Sequence, residues 1–301
     1  MRKFVVFTSI WCSLTCMPGV LFAQPKSDLY LFSLLLSSDS LYHVLAPRYL
    51  SGFNERGISD EPSFTPSGDL LISVKKEGET QYDIWQLLLS QKKIKRLTFT
   101  QASEYSPQIT PDGQHLSFLR KATLGAVDQQ LYQVGLTGKD LKSLEGDIRD
   151  VVNYTWMSSH ELGLYRVAGE ENALSYLNLT DLKTKPITTS VGKTILTDKV
   201  GRLVYVHQFN PDYWYIKKYI PSSTSIEVVA ETPGKVDDFA MAPDGTYFIG
   251  KGHLLYSMNP AYQTTWKEVV DLSVYGINFI TGLAVSDDGH QLALVATKEK
   301  Q

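Results

Sequence analysis

Five basic or potentially basic side chains recur along the sequence at a nearly constant distance. They are Lys75, Arg120, Arg166, His207 and Lys251, and each follows a predicted turn by six or seven residues. Ammonium and guanidinium groups bind carboxylates and other anions, and the planar fork of an arginine can do so with two parallel hydrogen bonds. If the fold brings these positions to one surface, we expect that surface to bind an acidic ligand or an acidic segment of a partner protein.

Acidic residues precede the same segments and allow a purely structural interpretation of the five bases. They are Asp60, Glu61, Glu104, Asp147, Asp150, Asp237 and Asp238. Neighbouring segments could pair these charges with the bases, and each exposed pair would stabilise the fold by about 1 kcal/mol or less. The sequence leaves both interpretations open.

The usual catalytic and metal-binding patterns are missing from the sequence. It contains no Gly-x-Ser-x-Gly elbow, no His-Glu-x-x-His pair and no phosphate-binding loop. The six histidines fall in different segments, one by one, so we predict neither a metal site nor a cofactor. The adjacent Asp237 and Asp238 could serve as a calcium or acid/base pair, but neighbours on a strand point to opposite faces, which favours a structural use.

The elements that must position the five bases are repeated hairpins. In the clearest, residues 106–119, a proline-aspartate-glycine turn separates two stretches of alternating apolar and polar residues. Copies lie at 64–72, 241–249 and 285–294, with weaker ones at 154–162 and 195–204. The equivalent turn positions are Gly68, Gly113, His160, Gly201, Gly245 and Gly289, at spacings of 45, 47, 41, 44 and 44 residues. Self-similarity at such a period predicts a repeat architecture.

The two ends of the chain complete one repeat between them. Two predicted strands, 29–36 and 41–46, precede the first hairpin, whereas the last repeat consists of its hairpin alone. We therefore predict an all-β, six-bladed β-propeller over residues 24–301, with the last blade closed by the N-terminal strands. The alternative is an open array, which would leave exposed strand edges and need capping repeats.

The clearest repeats contain sequence motifs that are typical of a known family. Residues 61–68, 83–85 and 96–98, together with the hairpin at 106–119, give a proline-containing strand, a Pro-x-Gly turn, an Asp-Ile-aromatic strand and a closing Leu-Thr. In this the chain resembles the TolB-like six-bladed β-propellers with WD-type repeats. The resemblance implies the propeller alone, without the additional N-terminal domain of TolB and without its specific role in the envelope.

Residues 1–23 have the pattern of an export signal. Arg2 and Lys3 come first, a mostly apolar run follows from 4 to 22, and Ala23 is a small residue at the expected cleavage point. Cleavage would remove Cys12 and Cys16, so the mature chain would contain no thiol and no disulfide. We expect a periplasmic or secreted protein with no transmembrane segment after cleavage.

Composition limits the partners. With 43% hydrophobic residues and a formal charge of −3, the chain has the apolar material for a core and no bias toward nucleic acid. We predict a non-catalytic binding or scaffolding module whose partner is another envelope or extracellular protein or an acidic ligand. The alternative is a hydrolase or lyase that acts on a sugar or lactone with a metal in the central channel. Histidines and carboxylates gathered around the axis would favour that enzyme.

Overall fold

The computed structural model describes residues 26–121, 129–144, 150–168 and 171–297, and this part of the chain forms six antiparallel sheets arranged as blades. Five sheets have four strands each, and the sixth has a fifth, short strand. The predicted six-bladed propeller is confirmed. The predicted export signal, residues 1–23, lies outside the described residues.

The strands follow the repeats in chain order. The N-terminal strands are β1 (Ser27–Leu36), β2 (Tyr42–Val44) and β3 (Arg48–Tyr49). The first blade is β4 (Ile58–Phe64), β5 (Leu70–Lys75), β6 (Asp83–Leu88) and β7 (Lys93–Arg96), and the second is β8 (Ser103–Ile109), β9 (His115–Lys121), β10 (Gln129–Gly135) and β11 (Lys142–Ser143). The third blade is β12 (Val151–Ser158), β13 (Glu161–Ala168), β14 (Glu171–Asn178) and β15 (Lys183–Thr189), and the fourth is β16 (Val191–Thr197), β17 (Leu203–Gln208), β18 (Trp214–Ile220) and β19 (Ser225–Glu231). The fifth blade is β20 (Phe239–Met241), β21 (Tyr247–Lys251), β22 (Leu254–Met258) and β23 (Lys267–Asp271), and β24 (Phe279–Val285) and β25 (Gln291–Thr297) begin the sixth. Two short 3₁₀ helices, Ser51–Phe53 and Leu272–Tyr275, lie between blades.

The N-terminal strands close the ring. Strand β1 pairs with β25 from Ser27 opposite Thr297 to Ser33 opposite Gln291, so the sixth blade has the order β24, β25, β1, β2. The outer strand predicted at 41–46 is shorter in the structure. The chain is interrupted before Pro47, which has no N–H to donate to the sheet, and then pairs again with β1 as β3.

Glycines at the predicted turns adopt the left-handed conformation. Gly68, Gly113 and Gly245 have φ angles of 81°, 71° and 88°. In the second blade the Gly113 N–H donates to the Thr110 carbonyl at 2.8 Å, which closes the turn between β8 and β9. A side chain other than hydrogen costs about 1–2 kcal/mol in this region of φ, and this explains the choice of glycine.

Apolar side chains from facing blades form the core. Between the last and first blades, Leu29, Ile72 and Val295 are completely buried in one cluster. The third and fourth blades approach closely because Gly163 has no Cβ. A Cβ there would lie 2.4 Å from the Leu203 side chain. Burial of one such aliphatic side chain contributes about 1.5–3 kcal/mol, so the inter-blade clusters carry much of the stability.

Across the described residues, no helix has both the length and the apolar character needed to cross a membrane.

Candidate functional site

The innermost strands of the six blades enclose a central channel of about 750 Å³. Each innermost strand runs toward the turn that carries Gly68, Gly113, Gly201, Gly245 or Gly289, or the equivalent turn at His160. We call this end of the propeller the turn rim. At the opposite end, which we call the crossover rim, the chain passes from one blade to the next.

The five predicted bases all lie at the crossover rim, as the strand register shows. Lys75 is opposite Ile58, Arg120 opposite Glu104, Arg166 opposite Val151 and His207 opposite Val191, each beside the start of an innermost strand, and Lys251 ends the corresponding strand of the fifth blade. Each base belongs to a different blade. The structure therefore distributes them around the rim and does not bring them together at one point.

The five positions are not fully equivalent. Leu70 pairs with Phe64 and Leu116 pairs with Ile109, immediately next to the turns, yet Lys75 lies one residue further along its strand than Arg120 does. Because alternate residues of a strand face opposite sides, Lys75 faces the other side of its blade. Counting residues from the turn glycines did not reveal this difference. The first turn has one residue fewer between Gly68 and Leu70 than the second turn has between Gly113 and Leu116.

The rim bases have different surroundings. The Arg120 guanidinium lies 5.1 Å from the centre of the Tyr132 ring, and its buried Nε has no hydrogen-bond partner among the described residues. The Lys75 ammonium lies 5.4 Å from the centre of the Tyr82 ring. Burial and the Lys217 ammonium, 2.8 Å from His207 Nδ1, both lower the pKa of His207. His207 is therefore neutral at pH 7, and the other four positions carry the positive charge.

Three of the acids that the sequence offered as partners make direct contacts elsewhere, although the charge of Arg120 still acts on Glu104. The Glu104 carboxylate accepts from the hydroxyls of Thr98, at 3.0 Å, and of Thr100. Asp238 pairs with Lys193 at 3.0 Å, and Asp237 accepts the Lys193 backbone N–H at 2.9 Å. The two adjacent aspartates thus hold one lysine, which is the structural use expected of them. Asp147 lies outside the described residues.

A second set of polar residues lines the channel near the crossover rim. Glu61 and Ser106 occupy the same place in the bulges of β4 and β8, and both have positive φ angles, 53° and 51°. The Glu61 carboxylate accepts the Ser106 N–H at 2.6 Å and hydroxyls of Ser106 and Ser73 at 3.2 and 2.9 Å. Positive φ at non-glycine residues costs about 1–3 kcal/mol each, and the bulges aim these side chains into the channel.

Lys193 connects several blades across this end of the channel. Its ammonium lies 3.0 Å from Asp238 Oδ1 in the fifth blade and donates to the Thr281 carbonyl of the sixth at 3.3 Å. Its carbonyl accepts from the Asn153 side chain of the third blade at 3.0 Å. Half of the Lys193 side chain is exposed to the solvent of the channel. One residue therefore holds the innermost strands of four blades.

Two of the channel carboxyls, Glu61 and Asp238, have pKa values near neutral pH. Burial, and next the charge of Asp60, raise the pKa of Glu61 to about 7. Burial raises the pKa of Asp238 to about 7 even though the Lys193 ammonium stabilises the ionised carboxylate, and burial also raises the pKa of Asp60. Burial works to lower the pKa of Lys193, but the carboxylates of Asp238, Asp60 and Asp237 together raise it. Lys193 is therefore a cation throughout the physiological range.

Sequence reasoning did not pick out Glu61 or Lys193 as members of this cluster. A signal exists for the first: Glu61 and Ser106 each precede a proline at the same distance from the following turn. Lys193 carries no such mark, because its repeat lacks the proline.

Metal ligation has no support in the described part of the chain. Among residues 26–121, 129–144, 150–168 and 171–297, no group of three or more His, Cys, Asp or Glu side chains is placed to hold an ion. The cation among the channel carboxylates is the Lys193 ammonium. His115 lies at the turn rim, 3.2 Å from Asp112, and thus away from the cluster.

Comparisons with known proteins support the fold. No family model matches the sequence, and no curated protein does. The structure of a protein assigned as a TolB of Agrobacterium tumefaciens matches with a TM-score of 0.64 at 12% identity, over 92% of this chain and 100% of that one. TolB of Acinetobacter baumannii matches with 0.57 at 14% identity, over 90% of this chain but 64% of the other.

An oligogalacturonate lyase of Vibrio parahaemolyticus matches with a TM-score of 0.50 at 12% identity, over 91% of this chain and 98% of that one. These proteins differ in function, and the low identities relate them to this chain by architecture alone. A binding role and an enzymatic role are both compatible with the architecture. The resemblance to TolB-like six-bladed β-propellers is therefore confirmed at the level of the fold.

Proposed function

We propose that this chain is an exported, non-catalytic binding propeller that takes an acidic partner on its crossover rim. The observation that carries the proposal is the placement of Arg120. Its guanidinium lies against the Tyr132 ring. Glu104, which is opposite Arg120 in the strand register, accepts hydrogen bonds from the hydroxyls of Thr98 and Thr100. The Arg120 and Glu104 charges attract each other, but no hydrogen bond joins the two side chains, so the guanidinium donors of Arg120 are suited to bind a carboxylate from outside. Arg166 holds the equivalent place in the next blade.

The charge distribution of the rim supports the same proposal. Lys75, Arg120, Arg166 and Lys251 lie on the second strands of their blades and form a ring around the channel, whereas Asp60, Glu61 and Asp238 line the channel itself. The channel carboxylates disfavour an anion at the axis. An acidic partner would therefore contact the outer ring, and a folded protein surface or an extended acidic polymer can span it.

Binding to immobilised poly-L-glutamate tests the proposal. We expect the double variant Arg120→Gln and Arg166→Gln to bind at least tenfold more weakly than the wild type, and we expect wild-type binding to weaken as NaCl rises from about 50 to 300 mM. The matched control is Lys93→Gln with Lys95→Gln, which removes the same charge from the outer strand β7. If the rim variant lost stability but kept its affinity, the rim charges would be structural.

The second candidate function is the enzyme, and one observation favours it. Glu61 has a pKa near 7 and projects into the channel, which suits a general base acting on a sugar or lactone. The metal that this alternative invoked would have to displace Lys193 from the carboxylates. Elemental analysis of the purified protein distinguishes the two candidates: a stoichiometric, tightly held metal would favour the hydrolase or lyase.

A further inference from the structure

A second cleft, separate from the channel, opens at the turn rim between the third and fourth blades. Its volume is about 620 Å³. The third blade contributes the β12–β13 turn with Ser158 and Glu161, the end of β14 with Tyr176, and Lys185 on β15. The fourth blade contributes the β16–β17 turn, residues 199–202, and residues 219–222 at the end of β18 and just after it. The cleft is the outer end of the interface between these two blades.

Positive charge dominates the cleft. Three cations line it, Lys185, Lys199 and Arg202, against one lining carboxylate, Glu161; behind Arg202, the Asp198 carboxylate pairs with both Arg202 and Lys218. Arg202 is held in a fixed orientation, since its Nε donates to Asp198 Oδ2 at 2.6 Å. Among the described residues, no hydrogen bond or ion pair involves the two terminal nitrogens of the Arg202 guanidinium. They are therefore available to bind an anion with two parallel hydrogen bonds.

The floor of the cleft offers a fixed hydrogen-bond acceptor. The Glu161 carboxylate accepts from the Tyr176 hydroxyl and from Ser158 Oγ, the latter at 2.9 Å. An ionised carboxylate has about four acceptor positions, so two hydroxyls leave room for further donors. Tyr176 and Tyr219 close the floor with rings that are only 7% and 6% exposed. At the lip, Val200 is 74% exposed.

We propose that this cleft binds a sugar acid, a pyranose that carries a carboxylate. The cations of Lys199 and Arg202 would take the ligand carboxylate, and Glu161 would accept hydrogen bonds from the ring hydroxyls. A simple anion satisfies the cations but is repelled by Glu161. A neutral sugar satisfies Glu161 but leaves the cations without a partner. The combination of these groups in one cleft therefore selects a ligand that has both a carboxylate and hydroxyls.

This site is independent of the proposed function, because it opens on the other rim. A chain that lost its poly-L-glutamate binding at Arg120 and Arg166 would still bind the sugar acid, and the reverse also holds. The two proposals can therefore fail separately.

Isothermal titration of the full mature chain with sodium D-glucuronate, D-glucose and inorganic phosphate tests the inference. We expect glucuronate to bind at least tenfold more tightly than either of the others. Lys199→Gln and Arg202→Gln should each weaken glucuronate binding at least tenfold. Lys183→Gln is the matched control, since this lysine lies on the same edge but pairs with Asp181 at 3.5 Å.

Glu161→Gln gives a second test, because it should change the affinities for glucuronate and for phosphate in opposite directions. The variant should weaken the binding of glucuronate and strengthen the binding of phosphate, because the repulsion between the Glu161 carboxylate and the anion is removed. Since Arg202 also contacts Asp198, the Lys199 variant provides the result that does not depend on a buried contact. Equal binding of phosphate and glucuronate by the wild type would overturn the inference, and so would unchanged glucuronate affinity in Lys199→Gln.

Discussion

Glu61→Gln should change how stability depends on pH. In the folded chain the pKa of Glu61 is about 7, against an ordinary value of 4.5. Between these pH values the folded chain holds a proton that the unfolded chain has released. The unfolding free energy therefore falls as the pH rises from 4.5 to 7. The difference between the two pKa values corresponds to about 3 kcal/mol.

Glutamine can preserve the contacts of Glu61 without the charge. Its carbonyl oxygen, in the place of Oε2, can accept the Ser106 N–H and the Ser73 hydroxyl, and its amide, in the place of Oε1, can donate to the Ser106 hydroxyl. The variant should therefore be less stable than, or similar to, the wild type at pH 4.5, and it should gain about 3 kcal/mol relative to the wild type by pH 8. Asp60 and Asp238 also have raised pKa values, so both proteins lose stability with rising pH and only their difference is diagnostic.

Urea unfolding at pH 4.5, 6, 7 and 8 measures this difference. Glu77→Gln is the matched control, because the Glu77 side chain is largely exposed and lies beside Arg56 at 3.6 Å. For that control we expect an offset from the wild type that stays nearly constant with pH. A similarly constant offset for Glu61→Gln would refute the argument that burial in the bulge raises the pKa of this carboxyl.

Three further changes test the architecture. A chain that begins at Ser51 lacks β1, leaves β25 with an open edge, and should aggregate or melt early; wild-type thermal stability would rule out the shared blade. Gly113→Val places a β-branched residue at φ 71°, where no neighbour lies within 4 Å of the new Cβ, so the cost is backbone strain of about 1–2 kcal/mol. An unchanged melting temperature would contradict this, and poly-L-glutamate binding should stay the same. Gly192→Ala puts a Cβ 2.4 Å from Asp237 Cβ, so it should displace Asp237 from the Lys193 N–H and speed amide exchange at Lys193; wild-type exchange there would show that the contact persists.

The repeat pattern was sufficient to predict the fold because each repeat carries its own local signals. The glycines at 68, 113, 201, 245 and 289 all have positive φ, and the incomplete last repeat correctly predicted the pairing of β1 with β25. Lys75 shows where counting fails. A turn that is shorter by one residue moves the side chain to the other face of the blade, and spacing measured from glycines does not detect this.

The channel cluster illustrates a different limit. Its members come from blades that are far apart in sequence, as Lys193 and Thr281 are, and each is an ordinary polar residue in its own repeat. What makes them a cluster is the closure of the ring, which places one side chain from each blade around a common axis. A single repeat therefore predicts its strands and turns but not its channel contacts, since those depend on the five other repeats.

The distribution of charge differs between the channel and the surrounding crossover rim. Lysines and arginines form the ring around the channel, whereas Asp60, Glu61 and Asp238 surround the Lys193 cation in the channel, so the charge becomes more negative from the edge of the crossover rim to its axis. Near pH 7 Glu61 and Asp238 are only partly ionised, and this difference in charge grows as the pH rises. An anionic partner would then be disfavoured at the axis and favoured only at Arg120, Arg166 and their neighbours. Binding of poly-L-glutamate should consequently become more dependent on Arg120 between pH 6 and 8, and equal losses in Arg120→Gln at both pH values would show that the inner carboxyls do not influence the rim.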